Sequence, residues 1–284
     1  MNGSSRSIAI KKNIIASLFL KGISILVSLQ VVPLTINYIN PTRYGIWLTL
    51  SSIVAWLSYF DLGFAHGFRN RFAEAVAKGD MQLAREYVST TYVVLSLLFS
   101  SVFLIAIVVN HFVDWSAILN VDAAYSSELN IVFGILAFFF CLNIVASIFT
   151  TMLTANQKPA LASLIQTLGQ VFGFICIYIL TKTVPGNLDV LAFAFSGVPC
   201  FLLIIISIGM FLSGRYRHLS PSFHFVHFSL TKKIVGLGGQ FFIIMISMLF
   251  VFQLINIVIS RVAGPMAVTQ YNICLLYTSD AADE

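Results

Sequence analysis

Residues 41–80, PTRYGIWLTLSSIVAWLSYFDLGFAHGFRNRFAEAVAKGD, carry in succession a turn, a membrane-length apolar run and a charged amphipathic segment. From Tyr44 to Tyr59 the polar side chains are Thr49, Ser51, Ser52, Ser58 and the two tyrosines, and the first charge is Asp61. Such a run suits hydrocarbon, where a spanning helix needs about 20 residues. Past Gly63 the spacing changes: Phe64, Phe68, Phe72, Ala75 and Val76 share one helical face, with Asn70, Arg71, Glu74 and Lys78 on the other. Glu74 stands one helical turn before Lys78, the favourable order for a surface pair, and Gly79-Asp80 stops the helix. The stretch reads as a hairpin tip, a span, and a helix lying at the membrane interface with its basic residues against the cytoplasmic leaflet.

The whole chain has the same character. With 58% hydrophobic and 10% charged residues, it is far from the roughly 25% charged residues of soluble domains, and it reads as an integral membrane protein. The N-terminus, MNGSSRSIAIKKN, leads into an apolar run longer than a signal-peptide core and without a small-residue cleavage site, so an uncleaved first span is expected. Cys141, Cys176 and Cys200 lie singly in apolar runs with no CxxC spacing, which points to packing rather than metal or disulfide roles. No phosphate-binding loop is present; Gly236-Leu237-Gly238-Gly239 lacks the following Lys-Ser/Thr. His224 and His227 lie among aromatics without a carboxylate or Cys nearby, the composition of an interfacial segment.

Membrane-length runs fall at about 13–39, 44–62, 87–110, 129–153, 160–181, 189–212 and 236–260. Continuous runs of this length define an all-α transmembrane bundle and exclude a barrel, whose segments alternate. With the N-terminus inside, twelve basic residues fall on the cytoplasmic side: Arg6, Lys11, Lys12, Arg69, Arg71, Lys78, Arg85, Lys158, Arg215, Arg217, Lys232 and Lys233. Three fall outside (Arg43, Lys182, Arg261), and Lys21 lies within a span. That bias sets the orientation. It also accounts for the formal charge of +5, so no nucleic-acid partner is implied.

The domain expectation is a six-span bundle over 1–213, a cytoplasmic linker over 214–235, and the start of a second bundle over 236–273. The last stretch, CLLYTSDAADE from Cys274 to Glu284, breaks off an opening eighth span in an acidic tail. It reads as a translated sequencing-library adapter rather than native protein, with the native chain continuing past about Ile273.

The string YGIWLTLSSIVAWLSYFDLGF followed by GFRNRFAEAVAKGD resembles the first cytoplasmic hairpin region of bacterial polysaccharide and O-antigen flippases, of the multidrug/oligosaccharidyl-lipid/polysaccharide exporter superfamily. The recurring family positions are Tyr44, Gly45, Trp47 and Leu48 at the turn, then Asp61, Leu62, Gly63, Gly67, Arg69 and Asn70. The resemblance implies a MATE-like fold of about twelve to fourteen spans in two halves around a central cavity, of which this chain holds the first half and the start of the second. It also implies flipping of an undecaprenyl-pyrophosphate-linked oligosaccharide across the bacterial inner membrane, without covalent chemistry or cofactor. Partners would be that lipid, anionic membrane lipids, and H+ or Na+ as a coupling ion. Asp61, Arg69 and Arg71 then stand at the cytoplasmic mouth, where they could form a gate. Two other readings stay open: an ion-coupled multidrug exporter of the same fold, which wants a carboxylate deep in a span, and a membrane-embedded glycan polymerase or ligase, which wants catalytic side chains in outside loops.

Polar stripes within the spans mark candidate cavity residues. In span one Ser17, Lys21, Ser24, Ser28 and Thr35 fall within a sector of roughly 60° at about 100° per residue. Lys21 lies about 12 Å into a core some 30 Å thick, so it is expected to face a cavity and meet the pyrophosphate, with Ser24 and Ser28 beside it. Span five carries Ser163, Gln166 and Gln170 on one stripe, and Gly169 and Gly173 form a small-residue face for close helix approach. Span seven repeats the stripe with Gln253, Asn256 and Ser260, and Asn143 adds an amide in span four. Single amides can bond between helices, but this many suggest a wet cavity. The charge bias yields a direct test. Cysteines placed at positions 75 and 225 should react with an impermeant thiol reagent only after the membrane is broken, and one at 118 in intact cells; labelling of 118 only after lysis would reverse the orientation.

Overall fold

Asn40 and Pro41 set the first corner of the structure, a computed structural model that describes residues 3–57, 63–214, 216–236 and 254–282. Helix α1 (Gly3–Ile39) stops where Asn40 leaves the helical region, at φ 75° and ψ 161°. The Asn40 side chain accepts the Arg43 N–H at 3.0 Å, and Pro41 opens α2 (Pro41–Ala55) in the first turn, where its missing N–H leaves nothing unpaired. α3 (Phe64–Ala77) begins after Gly63 and is followed by Gly79, at φ 74° and 77°. Asp80 accepts the Leu83 N–H at 2.9 Å and starts α4 (Met81–Phe112), so this helix begins six residues ahead of the apolar run expected at 87. Asp114 caps the short α5 (Trp115–Leu119) in the same way, and the Ser116 hydroxyl, followed by the Ala117 N–H, holds its carboxyl below the usual range.

The expected fourth span is two helices, α6 (Ser126–Ala146) and α7 (Ile148–Ala155), joined at Ser147, whose hydroxyl donates back to the Ile144 carbonyl at 2.7 Å. α8 (Pro159–Thr183) and α9 (Leu188–Leu212) follow, then helical residues 229–236, α10 (Leu254–Ala263) and α11 (Pro265–Ala282). Among the described residues, five helical stretches are long and apolar enough to cross a membrane: Asn13–Ile39, Met81–Phe112, Ser126–Ala155, Pro159–Thr183 and Leu188–Leu212. They coincide with expected spans one, three, four, five and six. Of the second, α2 covers the part up to Ala55, and 58–62 lie outside the described residues. Most of the seventh also lies outside them, with α10 at its end.

Two apolar cores divide the length of the bundle. One joins Trp47, Leu50, Trp115, Phe133 and Leu191; the other joins Phe68, Phe72, Phe99, Phe149 and Tyr216. Large apolar side chains such as Leu18 and Phe19 on α1 and Leu104 and Phe112 on α4 are exposed, as suits a surface whose solvent is hydrocarbon. Basic groups gather at one end, where Lys158 Nζ donates to the Tyr216 hydroxyl at 2.9 Å and Arg71 Nε to the Lys233 carbonyl at 3.3 Å. At the other end Arg43 pairs with Glu128 at 3.5 Å and donates to the Gly186 carbonyl at 3.2 Å.

One expectation changes here. α3 does not lay its apolar stripe on lipid: Phe64, Phe68, Phe72 and Ala75 are buried against α4 and α7. Its Glu74 pairs with Lys78 and Arg71, at 2.7 and 3.0 Å, and their hydrogen bonds, Lys78's first, keep its carboxyl below the usual range. The segment 216–236 is also fastened to its neighbours. Arg85 Nε donates to the Ser220 carbonyl at 2.9 Å, Ser222 N to the Ser89 hydroxyl at 3.1 Å, and His227 N to the Thr90 hydroxyl at 3.0 Å. The Arg85 guanidinium also lies 4.2 Å from the Phe225 ring centre. Losing a charge-assisted bond and a cation–π contact costs about 1–2 kcal/mol. Arg85→Ala should therefore speed limited proteolysis within 216–228 severalfold in detergent, while Lys78→Ala, on the exposed face of α3, should leave it unchanged.

Candidate functional site

The stripe on α1 turns towards α8. Gly169 and Gly173 of α8 let Pro199 of α9 approach closely, a Cβ on Gly169 falling 3.2 Å from that of Pro199. α8 is thereby held between α1 and α9. Across the α1–α8 contact the Ser24 hydroxyl donates to Gln170 Oε1, and the Thr167 hydroxyl reaches the Leu20 carbonyl at 3.5 Å. Thr35 is buried and spends its hydroxyl on the Val31 carbonyl at 2.7 Å. Lys21 lies on the same helix, three residues before Ser24, and is exposed.

Three chambers adjoin these groups. The first, about 300 Å3, lies among α1, α2, α8, α9 and α11, with Ser28, Gln170, Tyr44 and Trp47 in its lining. The second, about 250 Å3, lies among α2, α6 and α9 and is lined by Ser51, Asn143 and Ser196 together with Trp47, Phe195 and Pro199. Those last three side chains also line the first chamber, so they form the wall between the two. The third, about 330 Å3, sits at the basic end among α3, α7 and α8, where Arg69 and His66 meet Gln166 and a set of threonines, Thr150, Thr151 and Thr154. Among the described residues no acidic side chain lines any of the three.

The expected site residues are thus distributed. Ser24, Ser28 and Gln170 come together at the first chamber; Asn143 lies at the second; Gln166 and Arg69 meet at the third. Arg71 is occupied by Glu74 and the Lys233 carbonyl. Asp61 and Gln253 lie outside the described residues. Asn256 is buried in a contact between helices: its amide donates to the Ser52 hydroxyl, and its Oδ1 accepts from Asn272 Nδ2 at 2.8 Å. Around this trio the Ser260 hydroxyl donates to the Leu119 carbonyl at 3.2 Å and that of Thr269 to the Pro41 carbonyl at 2.8 Å. Gly45 makes the approach of α11 to α2 possible, for a Cβ there would stand 1.8 Å from the Pro265 carbonyl oxygen.

Trp47, Ser51, Ser52 and Asn272 were not singled out as site residues from sequence. Ser51 and Ser52 are adjacent polar residues in a span, the same signal that marked Ser24 and Ser28. Consecutive helical positions point about 100° apart, and here Ser51 reaches a chamber while Ser52 reaches the Asn256 contact.

This helical membrane bundle has a counterpart among solved structures, with a MATE-type fold. The solved structure titled "Inward-facing conformation of a multidrug resistance MATE family transporter of the MOP superfamily" is similar, with a TM-score of 0.61 and 15% identity, over 87% of this chain and 59% of that one. The chain belongs to the polysaccharide biosynthesis protein family, whose model it matches over residues 10–277. The structural neighbour is titled a transporter. Comparison with curated proteins gave no match.

The contact of α2 with α10 and α11 can be tested by stability. Interhelical bonds in membranes are worth about 0.6 kcal/mol on average and up to ~1.7, so Asn256→Ala should cost about 1 kcal/mol in detergent unfolding. Gly45→Ala forces a Cβ onto a backbone carbonyl and should cost more, about 1–3 kcal/mol. Gly209→Ala, with open space around it, should be neutral.

Proposed function

We propose that this chain belongs to a flippase that carries a polyprenyl-diphosphate-linked oligosaccharide, of the undecaprenyl type, from the cytoplasmic to the outer leaflet of the bacterial inner membrane. The observation that carries the reading is the pair Ser24 and Ser28 on the polar face of α1, joined through Gln170 to a chamber without an acidic side chain among the described residues, in a polysaccharide-biosynthesis family member with the fold of a transporter. Such a face suits an anionic headgroup bearing hydroxyl-rich sugars. A cation exporter is favoured less, because it calls for a carboxylate at the chambers. O-antigen, capsule or exopolysaccharide synthesis is the pathway class this substrate serves.

In this mechanism the basic end of the bundle is cytoplasmic, in line with the positive-inside bias. Arg69 and His66 at the third chamber meet the diphosphate as the lipid enters, and Lys21 meets it again one stage deeper. The chain makes and breaks no covalent bond; transport proceeds by alternating access around the substrate, driven by an H+ or Na+ gradient. Because the chain spans 59% of the length of the similar transporter, the transport cycle is a property of the whole transporter.

Lys21 tests the reading. In vesicles containing the transporter and a fluorescent polyprenyl-diphosphate oligosaccharide, Lys21→Ala should slow translocation by about ten-fold or more, the scale of one lost charge-assisted hydrogen bond. Lys21→Arg should retain much of the rate, because the charge survives. Wild-type rates in the alanine variant would remove Lys21 from the mechanism.

A further inference from the structure

The second chamber has a chemistry that a diphosphate does not explain. Among the described residues its lining includes no ionisable side chain, so these offer nothing to a charge of either sign. It does hold polar groups that are short of partners. The Trp47 indole N–H and the Ser51 hydroxyl are shut off from solvent and have no hydrogen-bond partner among the described residues, and Trp47 is only 5% exposed. Native interiors pair nearly all such groups, and an unpaired one calls for an explanation. Asn143 adds an exposed amide with donor and acceptor ends. The remaining surface is mostly apolar: Trp47, Phe139, Phe140 and Phe195 with Val54, Leu136 and Pro199, and one further hydroxyl on Ser196.

We infer that this chamber is a subsite for one neutral pyranose ring of the transported glycan, with Trp47, Ser51 and Asn143 reading its hydroxyls and the aromatic rings facing its C–H surface. The inference rests on the flippase reading and deepens it. The indole N–H can only donate, whereas a serine hydroxyl and a carboxamide both donate and accept. A sugar hydroxyl does both and satisfies all three. A lipid acyl chain filling the same space would leave all three unpaired, and a cation would find no counter-charge. The volume, about 250 Å3, is that of about eight waters at ~30 Å3 each, room for a single ring rather than for a whole repeat. Phe195 stands edge-on to the indole with centroids 4.6 Å apart, forming part of the wall between this chamber and the first. Because Trp47 also lines the first chamber, a ring held here lies beside the Ser28–Gln170 face that adjoins it.

The experiment is equilibrium binding to the transporter in lipid nanodiscs, with two probes: a polyprenyl diphosphate carrying one N-acetylhexosamine, and the same lipid diphosphate without sugar. Wild type should bind the sugar-bearing lipid about ten-fold more tightly, on the scale of a hydrogen bond or two. Trp47→Phe keeps an aromatic ring and removes the donor; it should erase about that factor for the sugar-bearing lipid and leave the bare lipid unaffected. Ser51→Ala and Asn143→Ala should show the same selective loss. Equal losses for both probes would mean that these residues act on the fold or on the diphosphate, and would overturn the subsite. Equal wild-type affinity for the two probes would also overturn it while leaving the flippase reading intact. Failure of both lipids to bind would overturn the flippase reading itself.

Discussion

The close approach at Gly45 organises much of what surrounds it. Helices in a membrane gain no hydrophobic advantage by meeting one another, since lipid tails are as apolar as leucine, so packing depends on how near two backbones can come. At Gly45 the Pro265 carbonyl occupies the space of a side chain. That brings α11 within reach of the Pro41 carbonyl through Thr269 and sets Asn272 beside Asn256. The opposite side of α2 is then left for Trp47 and Ser51 to form walls of the chambers. A single Cβ at this position would disturb the contact on one side of α2 and, through the helix, the chambers on the other.

Polarity inside the bundle falls into two kinds. Asn256, Ser52 and Asn272 satisfy one another and are removed from solvent or ligand. The Trp47 indole N–H and the Ser51 hydroxyl are buried without a partner among the described residues, and Asn143 is exposed; all three side chains line the second chamber. The first kind gives a contact its register, the second gives a site its appetite, and the same residue types serve both.

That distinction is also where the sequence stops being legible. Continuous apolar runs locate the spans because the length of a helix across hydrocarbon is fixed by geometry, and the charge bias separates the two ends. Polar spacing also finds Ser24, Ser28 and Gln170, which do come together. It cannot say whether Asn256 looks into a cavity or at another helix, because that depends on which neighbour arrives, and Asn272 arrives from a separate helix. The amphipathic stripe of α3 meets the same difficulty. Phe64, Phe68 and Phe72 would suit a headgroup boundary or a groove between α4 and α7 equally well, and only the tertiary structure supplies the groove. The docking of 216–236 was hidden for a different reason: Ser89 and Thr90 accept backbone N–H groups, and ordinary hydroxyls in a helix carry no mark of that use.

The fastening of that segment changes what it can do mechanically. Counted along the sequence, the connection after α9 is long enough to let the following span wander. Counted in space it is short, since Ser220, Ser222 and His227 are tied to α4, Lys233 to Arg71, and Ile234 lies so near Gly67 that a Cβ there would sit 2.0 Å from its carbonyl oxygen. Up to Ile234 the connection is therefore fastened to the α3–α4 corner, so it moves as part of that corner, a stiff arm rather than a slack cord.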